Sequence, residues 1–220
     1  MTTSNDDTWK MIRSEREALV NAFDEVEPDD WKRSSLCAGW SNQDVLSHLV
    51  FAASVTPLGF FGGFCRDLVA SGLRPRLAAG RHVRMSTASN TPEQLVGALR
   101  ARVDAQTHPP PPVLSLLGET IVHGEDIFTA LGRTREHPSR HLTAVADFYA
   151  TNNYIARTKR RMQGITLSAT DVPWTSGSGP QVFGPLLMLV LAQVGRPNAL
   201  EYLSGPGLDT LRRRAPMTDW

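Results

Sequence analysis

The most informative helix of this chain is predicted at Gly118-Glu119-Thr120-Ile121-Val122-His123-Gly124-Glu125-Asp126. Glu119 and His123 are four residues apart, so on a helix their side chains lie one above the other on the same face. An earlier segment, Asp44-Val45-Leu46-Ser47-His48-Leu49, is also typical of a helix and carries His48. Two histidines and one carboxylate on facing helices are the ligands of a catalytic zinc-type site, which keeps its fourth coordination position open. His48, Glu119 and His123 are therefore candidate metal ligands.

These three residues also have a purely structural interpretation. Leu116 and Ile127 share the predicted helix face with Glu119 and His123 and mark that face as buried. An ionised glutamate on a buried face is costly unless it is paired or binds a cation. Either a metal ion binds Glu119 and His123 together, or Glu119 pairs with an arginine and His123 makes an ordinary buried hydrogen bond. Taken alone, a histidine flanked by apolar residues, as His48 is, is more often a hydrogen-bonded core residue than a metal ligand.

Two further residues are candidates for catalysis. Asp126 follows His123 by three residues, and it either orients that histidine through its second ring nitrogen, acts on substrate, or is a solvated surface carboxylate. Arg196, in Gly195-Arg196-Pro197, is the candidate for binding an anionic substrate group, because a guanidinium grips a carboxylate with two hydrogen bonds. The alternative for Arg196 is a charge that interacts favourably with a helix C-terminus. Cys37 precedes a predicted helix but has no obvious triad partner, so a buried structural role is expected.

Helical periodicity dominates the first part of the chain. Apolar residues recur at helical spacing with charges between them. Ser41 with Asp44, and Thr91 with Gln94, have the spacing of capping boxes at helix starts. Four amphipathic helices joined by moderate connections favour a bundle, and bundles bind metals through inward side chains of facing helices. The four helices are expected at 8–26, from 41 onward, at 91–106 and at 113–131.

The pattern becomes mixed after residue 138. We expect a helix at 142–161, strands at 165–170, 181–183 and 200–203, and helices at 185–194 and 207–214. The predicted fold class is thus α+β, with a metal-binding four-helix bundle in residues 1–138 and a smaller C-terminal α+β domain in residues 139–220.

Composition limits the classes of partner. Hydrophobic residues make up 41% and charged residues 20% of the 220 residues, which is ordinary globular composition. The net charge of +1 gives no general attraction to nucleic acid or anionic membranes. The sequence begins without a signal-peptide pattern, and its longest apolar-rich run is interrupted by Pro57 and several glycines. We expect a cytoplasmic monomer or homodimer that binds small molecules, neither nucleic acid nor membrane.

The sequence resembles the mycothiol-dependent maleylpyruvate isomerase family, within the wider DinB-like metalloenzyme superfamily. The first matching block runs from Trp31 through Cys37-Ala38-Gly39-Trp40 to His48. A second block covers the glutamate and histidine four apart with an aspartate three further on, and a third lies in the C-terminal part, at Trp174-Thr175-Ser176-Gly177-Ser178-Gly179-Pro180. The segment 60–85 matches nothing in the family pattern, so the substrate is left open.

The resemblance implies a DinB-like bundle in which His48, Glu119 and His123 hold a divalent metal, usually Zn²⁺. It also implies mycothiol, the low-molecular-weight thiol of actinobacteria, as thiol co-substrate. Such an enzyme activates the thiol for attack on an electrophilic small molecule, as a maleylpyruvate-type cis–trans isomerase or a mycothiol S-transferase. The alternatives are a metal-dependent hydrolase at the same site, or a non-catalytic metal-binding or regulatory module. A structural metal site would need a fourth protein ligand, for which Cys37 is the nearest candidate.

Overall fold

A computed structural model of the chain describes residues 4–70, 83–110, 112–153 and 157–214, and only the backbone at 64–70. The chain forms two compact units, Met1–Arg135 and Glu136–Trp220. The domain boundary that the sequence predicts after residue 138 lies close to this division and stays a prediction. Part of the segment 60–85 lies outside the described residues.

The N-terminal unit is built around a four-helix bundle. Its helices span Asn5–Phe23 (α1), Asn42–Ala52 (α2), Pro57–Ala70 (α3), Pro92–Arg100 (α4) and Leu114–Phe128 (α5), and residues 83–89 are also helical. Helix α1 packs on α4 and α5, and α2 packs on the same two helices, so that the four close a ring around one apolar core.

Local sequence signals begin two of the bundle helices where they were expected. The Ser41 and Asp44 side chains form a reciprocal capping box at the start of α2, and Thr91 and Gln94 form another at the start of α4. After α5 a short 3-10 turn ends at Gly132, whose φ of +70° is the left-handed conformation common after helices.

The core of the bundle takes apolar side chains from all four helices. The ring of Phe23 stacks on that of Phe128 at a centroid distance of 5.6 Å and meets the edge of Trp31 at 5.2 Å. Such aromatic pairs add to the free energy of simple burial. The remaining core is aliphatic, and its fully or almost fully buried members include Leu19, Val45, Leu46, Leu49, Leu95, Leu99 and Ile127.

The C-terminal unit combines helices with a small mixed sheet. Its elements are Ser139–Thr151 (α6), Thr158–Arg161 (α7), Thr166–Ala169 (β1), Thr175–Gly177 (β2), Gln181–Gly184 (β3), Leu186–Gln193 (α8) and Leu208–Arg214 (α9). The strand order is β2-β1-β3, with β1 antiparallel to β2 and parallel to β3. Helix α8 packs on α6 and on the sheet. The predicted α+β fold class is confirmed.

Two predicted elements of this unit are wrong. The strand expected at 200–203 is the end of a 3-10 helix, Pro197–Tyr202. Leu200 and Leu203 are both buried, and their spacing of three residues suits the 3-10 period. The single helix expected at 142–161 is two helices, because α6 stops where the Asn152 side chain donates a hydrogen bond to the carbonyl of Phe148. Residues 154–156 lie outside the described part.

None of the described helices is long and apolar enough to cross a membrane.

Candidate metal centre

The packing of α2 on α5 brings the three predicted metal ligands together. Nε2 of His48 lies 2.9 Å from Oε2 of Glu119, and Nε2 of His123 lies 3.2 Å from the same oxygen. The two imidazole rings meet edge to face with centroids 4.8 Å apart. One potential ligand atom from each residue lies within 4.8 Å of the other two.

The donor set suits a divalent ion. Zinc keeps imidazole nitrogens and carboxylate oxygens at roughly 2.0–2.2 Å, so the ligand atoms of one ion lie within about 4 Å of each other. Glu119 is the only acid of the trio, and its ion-pair partners among the described residues are His48 and His123 rather than an arginine. A cation shared by these side chains would balance the charge of the partly buried Glu119 carboxylate. The alternative, in which Glu119 pairs with an arginine, is not seen among the described residues.

The electrostatics keep Glu119 ionised. Burial alone would raise the pKa of Glu119, but hydrogen bonds from His123 and His48 outweigh burial and hold that pKa well below its usual range. For His123 burial disfavours the charged ring, yet the Cys37 sulfur, Asp126 and Glu119 together raise its pKa well above the ordinary value. Without a metal, His123 therefore retains a proton that a bound cation must displace.

Access to the trio is uneven. The side chains of His48 and Glu119 are 25% and 19% exposed, whereas that of His123 is 5% exposed. A small molecule can therefore approach from the side of His48 and Glu119, while His123 forms the back of the site.

Behind His123 lies Asp126. Its Oδ2 accepts a hydrogen bond from Nδ1 of His123 at 2.9 Å, and the residue has no exposed surface. The interpretation of Asp126 as a solvated surface carboxylate is therefore wrong. Its contact with the second ring nitrogen matches the orienting role, in which a carboxylate fixes the ring and leaves Nε2 for the metal.

Cys37, which the sequence offered only as a possible fourth ligand of a structural metal site, lies beside Asp126 and His123. Its Sγ lies 3.3 Å from Oδ2 of Asp126 and 3.7 Å from Nδ1 of His123, and the residue is buried. Cys37, His123 and Asp126 form a second group of potential metal ligands, but through Nδ1 of His123. Cys37 therefore does not close the trio formed around the Nε2 atoms. The only sequence signal was its place in the Cys-x-Gly-Trp motif.

A buried ion network, also missed from the sequence, joins α5 to α1. The Arg135 guanidinium lies 3.7 Å from Glu15 on α1 and 3.7 Å from Glu125 on α5, and it covers the ring of Phe128 at 5.5 Å. Burial lowers the pKa of Arg135, while the two carboxylates oppose that effect. A Cβ atom on Gly124 would lie 2.6 Å from Nη1 of Arg135, so the absence of a side chain there lets the guanidinium cross α5.

Arg196 belongs to the C-terminal unit and is buried. The backbone N–H of Arg196 donates to the carbonyl of Leu191 at 3.0 Å. The backbone N–H of Gly195, a residue with a φ of +86°, donates to the carbonyl of Ala192 at 3.0 Å. These two bonds form a Schellman motif that ends α8. Arg196 thus occupies a helix C-terminus, as the dipole alternative requires. The pKa of Arg161 is lowered mainly by burial and, to a smaller extent, by the positive charge of the nearby Arg196. Substrate binding by Arg196 stays a prediction.

Comparison with known proteins identifies the family of this sequence. Residues 12–128 match the family described as the mycothiol maleylpyruvate isomerase N-terminal domain. Two solved structures, of a mycothiol-dependent maleylpyruvate isomerase and of a mutant of it, each share 16% identity with this chain at a TM-score of 0.63, covering 94% of this chain and 96% of theirs. That likeness shows the fold. Among curated proteins, no sequence matches. As its sequence predicts, the chain belongs to the mycothiol maleylpyruvate isomerase N-terminal domain family.

Proposed function

We propose that this protein is a metal- and mycothiol-dependent enzyme that activates the thiol for attack on an electrophilic small molecule. The observation that carries the proposal is the convergence of His48, Glu119 and His123 from two helices on a partly open position. Family membership supports mycothiol as the thiol. The similar solved structures are of a mycothiol-dependent maleylpyruvate isomerase, so the reactions we propose are cis–trans isomerisation or, alternatively, mycothiol S-transfer.

We propose Zn²⁺ as the metal, held by Nε2 of His48, Nε2 of His123 and a carboxylate oxygen of Glu119. Zinc accepts this mixture of imidazole and carboxylate ligands. When bound, the ion lowers the pKa of a thiol or water at its open coordination position. The position of Cys37 supports an open coordination position. This residue is the nearest candidate for a fourth ligand, but its sulfur lies near Nδ1 of His123 and not near the Nε2 atoms that would hold the metal.

The chain's own residues prepare this site. Asp126 accepts the Nδ1 hydrogen of His123 and so leaves the Nε2 lone pair directed toward Glu119. Glu119 stays ionised across the neutral range, since its pKa is held low. The buried position of His123 excludes water from the back of the site, while the exposed edges of His48 and Glu119 admit the reactants.

The thiol supplies the nucleophile. In an isomerase its sulfur adds to a conjugated double bond, the resulting single bond rotates, and elimination returns the thiol, whereas in a transferase the thioether leaves as product. We propose that Arg196 binds an anionic group of the electrophile. Arg196→Lys keeps the charge but loses the two-pronged grip, so a raised KM with little change in kcat is the expected result. An unchanged KM would assign Arg196 to the end of α8 alone.

The first test is metal content, measured by elemental analysis of wild type, His48→Ala, His123→Ala and His108→Ala. His108, which packs against Trp9, is a matched histidine outside the trio. We expect about one metal per chain in wild type and His108→Ala, and loss of it in the two other variants although they remain folded. A wild-type protein that takes up no metal on reconstitution would contradict the proposal.

The second test separates the reactions. Metal-loaded protein is incubated with maleylpyruvate and other conjugated electrophiles, with and without mycothiol, and products are followed by chromatography and mass. Isomerisation or a mass increase of one thiol, only when mycothiol is present, is expected. Turnover without thiol would identify the hydrolase alternative, and no turnover in either condition would favour a non-catalytic module. The cytoplasmic location and the monomeric or homodimeric state stay predictions.

A further inference from the structure

The loop before α2 forms a closed turn at residues 35–40. The N–H of Ser35 donates to the carbonyl of Trp40 at 2.9 Å, and the N–H of Trp40 donates to that of Cys37 at 3.0 Å. Gly39 takes a φ of +77°, which the third position of this tight turn requires. The Ser35 hydroxyl fastens the turn from inside, since it donates to the Trp40 carbonyl at 2.9 Å and accepts from the Cys37 N–H at 3.1 Å.

One side of the 35–40 turn is attached to α5 by two hydrogen bonds to Asp126. The N–H of Leu36 donates to the backbone carbonyl of Asp126 at 3.0 Å. The thiol of Cys37 donates to Oδ2 of the same aspartate at 3.3 Å. That oxygen also accepts the hydrogen bond from Nδ1 of His123. The turn therefore holds both the backbone and the side chain of the residue that orients one predicted metal ligand.

The other side of the 35–40 turn contacts the second histidine. The indole of Trp40 lies against the imidazole of His48, with ring centroids 5.5 Å apart and planes inclined by 57°. An aromatic wall of this kind restricts rotation of the imidazole about its side-chain bonds. A single turn thus contacts His48 through Trp40 and reaches His123 mainly through Asp126, with the Cys37 sulfur also 3.7 Å from Nδ1 of His123, although the two histidines belong to different helices.

We infer that the 35–40 turn positions both metal-binding histidines, with the Cys37 thiol acting through Asp126 and the Trp40 ring acting directly on His48. The inference deepens the proposed function and rests on its metal site. Two donors on one carboxylate oxygen prevent Asp126 from rotating, so His123 keeps its Nδ1 hydrogen on Asp126 and its Nε2 lone pair toward the metal. Cys37 is accordingly a positioning residue rather than a nucleophile.

The burial of Cys37 has a competing explanation in simple packing. Cysteine is a small hydrophobic residue as well as a weak donor, and Cys37 belongs to the bundle core. The two explanations predict different results for two substitutions. Serine keeps a donor at this position but is more polar, whereas alanine keeps the apolar character and loses the donor. A positioning role favours Cys37→Ser, and a packing role favours Cys37→Ala.

The experiment compares wild type, Cys37→Ser and Cys37→Ala by Zn²⁺ affinity, in competition with a chromophoric chelator, and by the visible spectrum of the Co²⁺-loaded proteins. Cys37→Ala is expected to weaken metal binding about tenfold, the lower end of the effect of outer-shell partners, and to alter the Co²⁺ bands. Cys37→Ser should retain wild-type affinity and bands. Equal binding by all three proteins, or a serine variant as weak as the alanine variant, would overturn the inference.

A measurement on metal-free protein separates this inference from the proposed function. The Nδ1 hydrogen of His123 is followed by proton–nitrogen NMR; slow exchange with water is expected in wild type and Cys37→Ser, and fast exchange in Cys37→Ala. Identical exchange in all three would overturn the role of Cys37 whether or not the protein binds metal. A wild type without metal affinity contradicts only the proposed function.

If Cys37→Ala fails to fold, Ser35→Ala tests the same inference at a residue that supports the turn from within. It removes the internal hydroxyl of the turn and leaves Cys37, Trp40 and Asp126 in place. Weaker Zn²⁺ binding and faster exchange of the His123 Nδ1 hydrogen are expected. Wild-type values for both would overturn the inference.

Discussion

Oδ2 of Asp126 lies 2.9 Å from Nδ1 of His123, while Nε2 of the same ring lies 3.2 Å from Glu119. The imidazole is therefore held between two carboxylates, one wholly buried and one partly open. This arrangement suits a separate task for each ring nitrogen, because the buried carboxylate accepts the Nδ1 hydrogen and the open one lies beside Nε2, where the proposed cation would bind.

Asp126→Asn is expected to weaken Zn²⁺ binding by roughly 10–100-fold, because a neutral amide does not hold the Nδ1 hydrogen as a carboxylate does. Affinity is measured by chelator competition. Asp104→Asn, which changes an exposed aspartate paired with Arg13, is the matched control and should bind zinc like wild type. Unchanged affinity in Asp126→Asn would show that the ring is oriented without the carboxylate.

Metal binding should weaken as pH falls. The pKa of His123 in the metal-free protein is raised above its ordinary 6.5, so a proton must leave before Nε2 can bind a cation. Zinc affinity is expected to fall on acidification through the raised pKa of His123, and uptake near neutral pH should release protons to an indicator dye. Affinity that does not vary over this range would contradict the assignment of His123 as a ligand.

The stability of the metal-free protein should vary with pH in the opposite sense. A raised folded-state pKa contributes stability that is complete below the unfolded value near 6.5 and is lost as pH rises through the folded value. Denaturant unfolding at several pH values measures this contribution. The pH-dependent contribution to stability should disappear in His123→Gln. An unchanged pH dependence in that variant would show that other groups produce this contribution.

Chelation should remove the metal without unfolding the protein. The bundle core is apolar and takes side chains from four helices, so the bundle is expected to stay folded without the ion. Circular dichroism before and after chelator treatment should show retained helix content, with a lower Tm because the bound metal no longer stabilises the folded state. Complete unfolding on chelation would instead indicate a structural metal site.

Gly124→Ala is expected to destabilise the protein by about 1–3 kcal/mol, because the new methyl group overpacks a filled site. A Cβ there would lie 2.6 Å from Nη1 of Arg135 and 3.1 Å from Cδ1 of Leu19. Denaturant unfolding measures the change.

The matched control is Gly97→Ala on α4, where a Cβ would meet nothing within 4 Å. It should stabilise the protein by about 0.4–1 kcal/mol, because alanine reduces the freedom of the unfolded chain. Equal effects of the two substitutions would show that the Arg135 guanidinium moves aside at no cost.

Short-range signals in the sequence predicted much of this fold. The capping boxes at Ser41 and Thr91 begin helices because side chain and backbone lie within one turn of each other. The spacing of Glu119 and His123 likewise predicted a shared helix face, since helical periodicity is a local property. The segment 200–203 is too short to show a clear period, so the sequence pattern did not distinguish a strand from the 3-10 helix that forms there.

The sequence alone determined four amphipathic helices and the residue types of the candidate metal site, because periodicity, caps and the spacing of Glu119 and His123 are properties of neighbouring residues. Only the tertiary structure placed Cys37 against Asp126 and Arg135 over Gly124. Those contacts join segments far apart in the chain, and they depend on how the helices and the 35–40 turn pack. No spacing within a single segment encodes that packing.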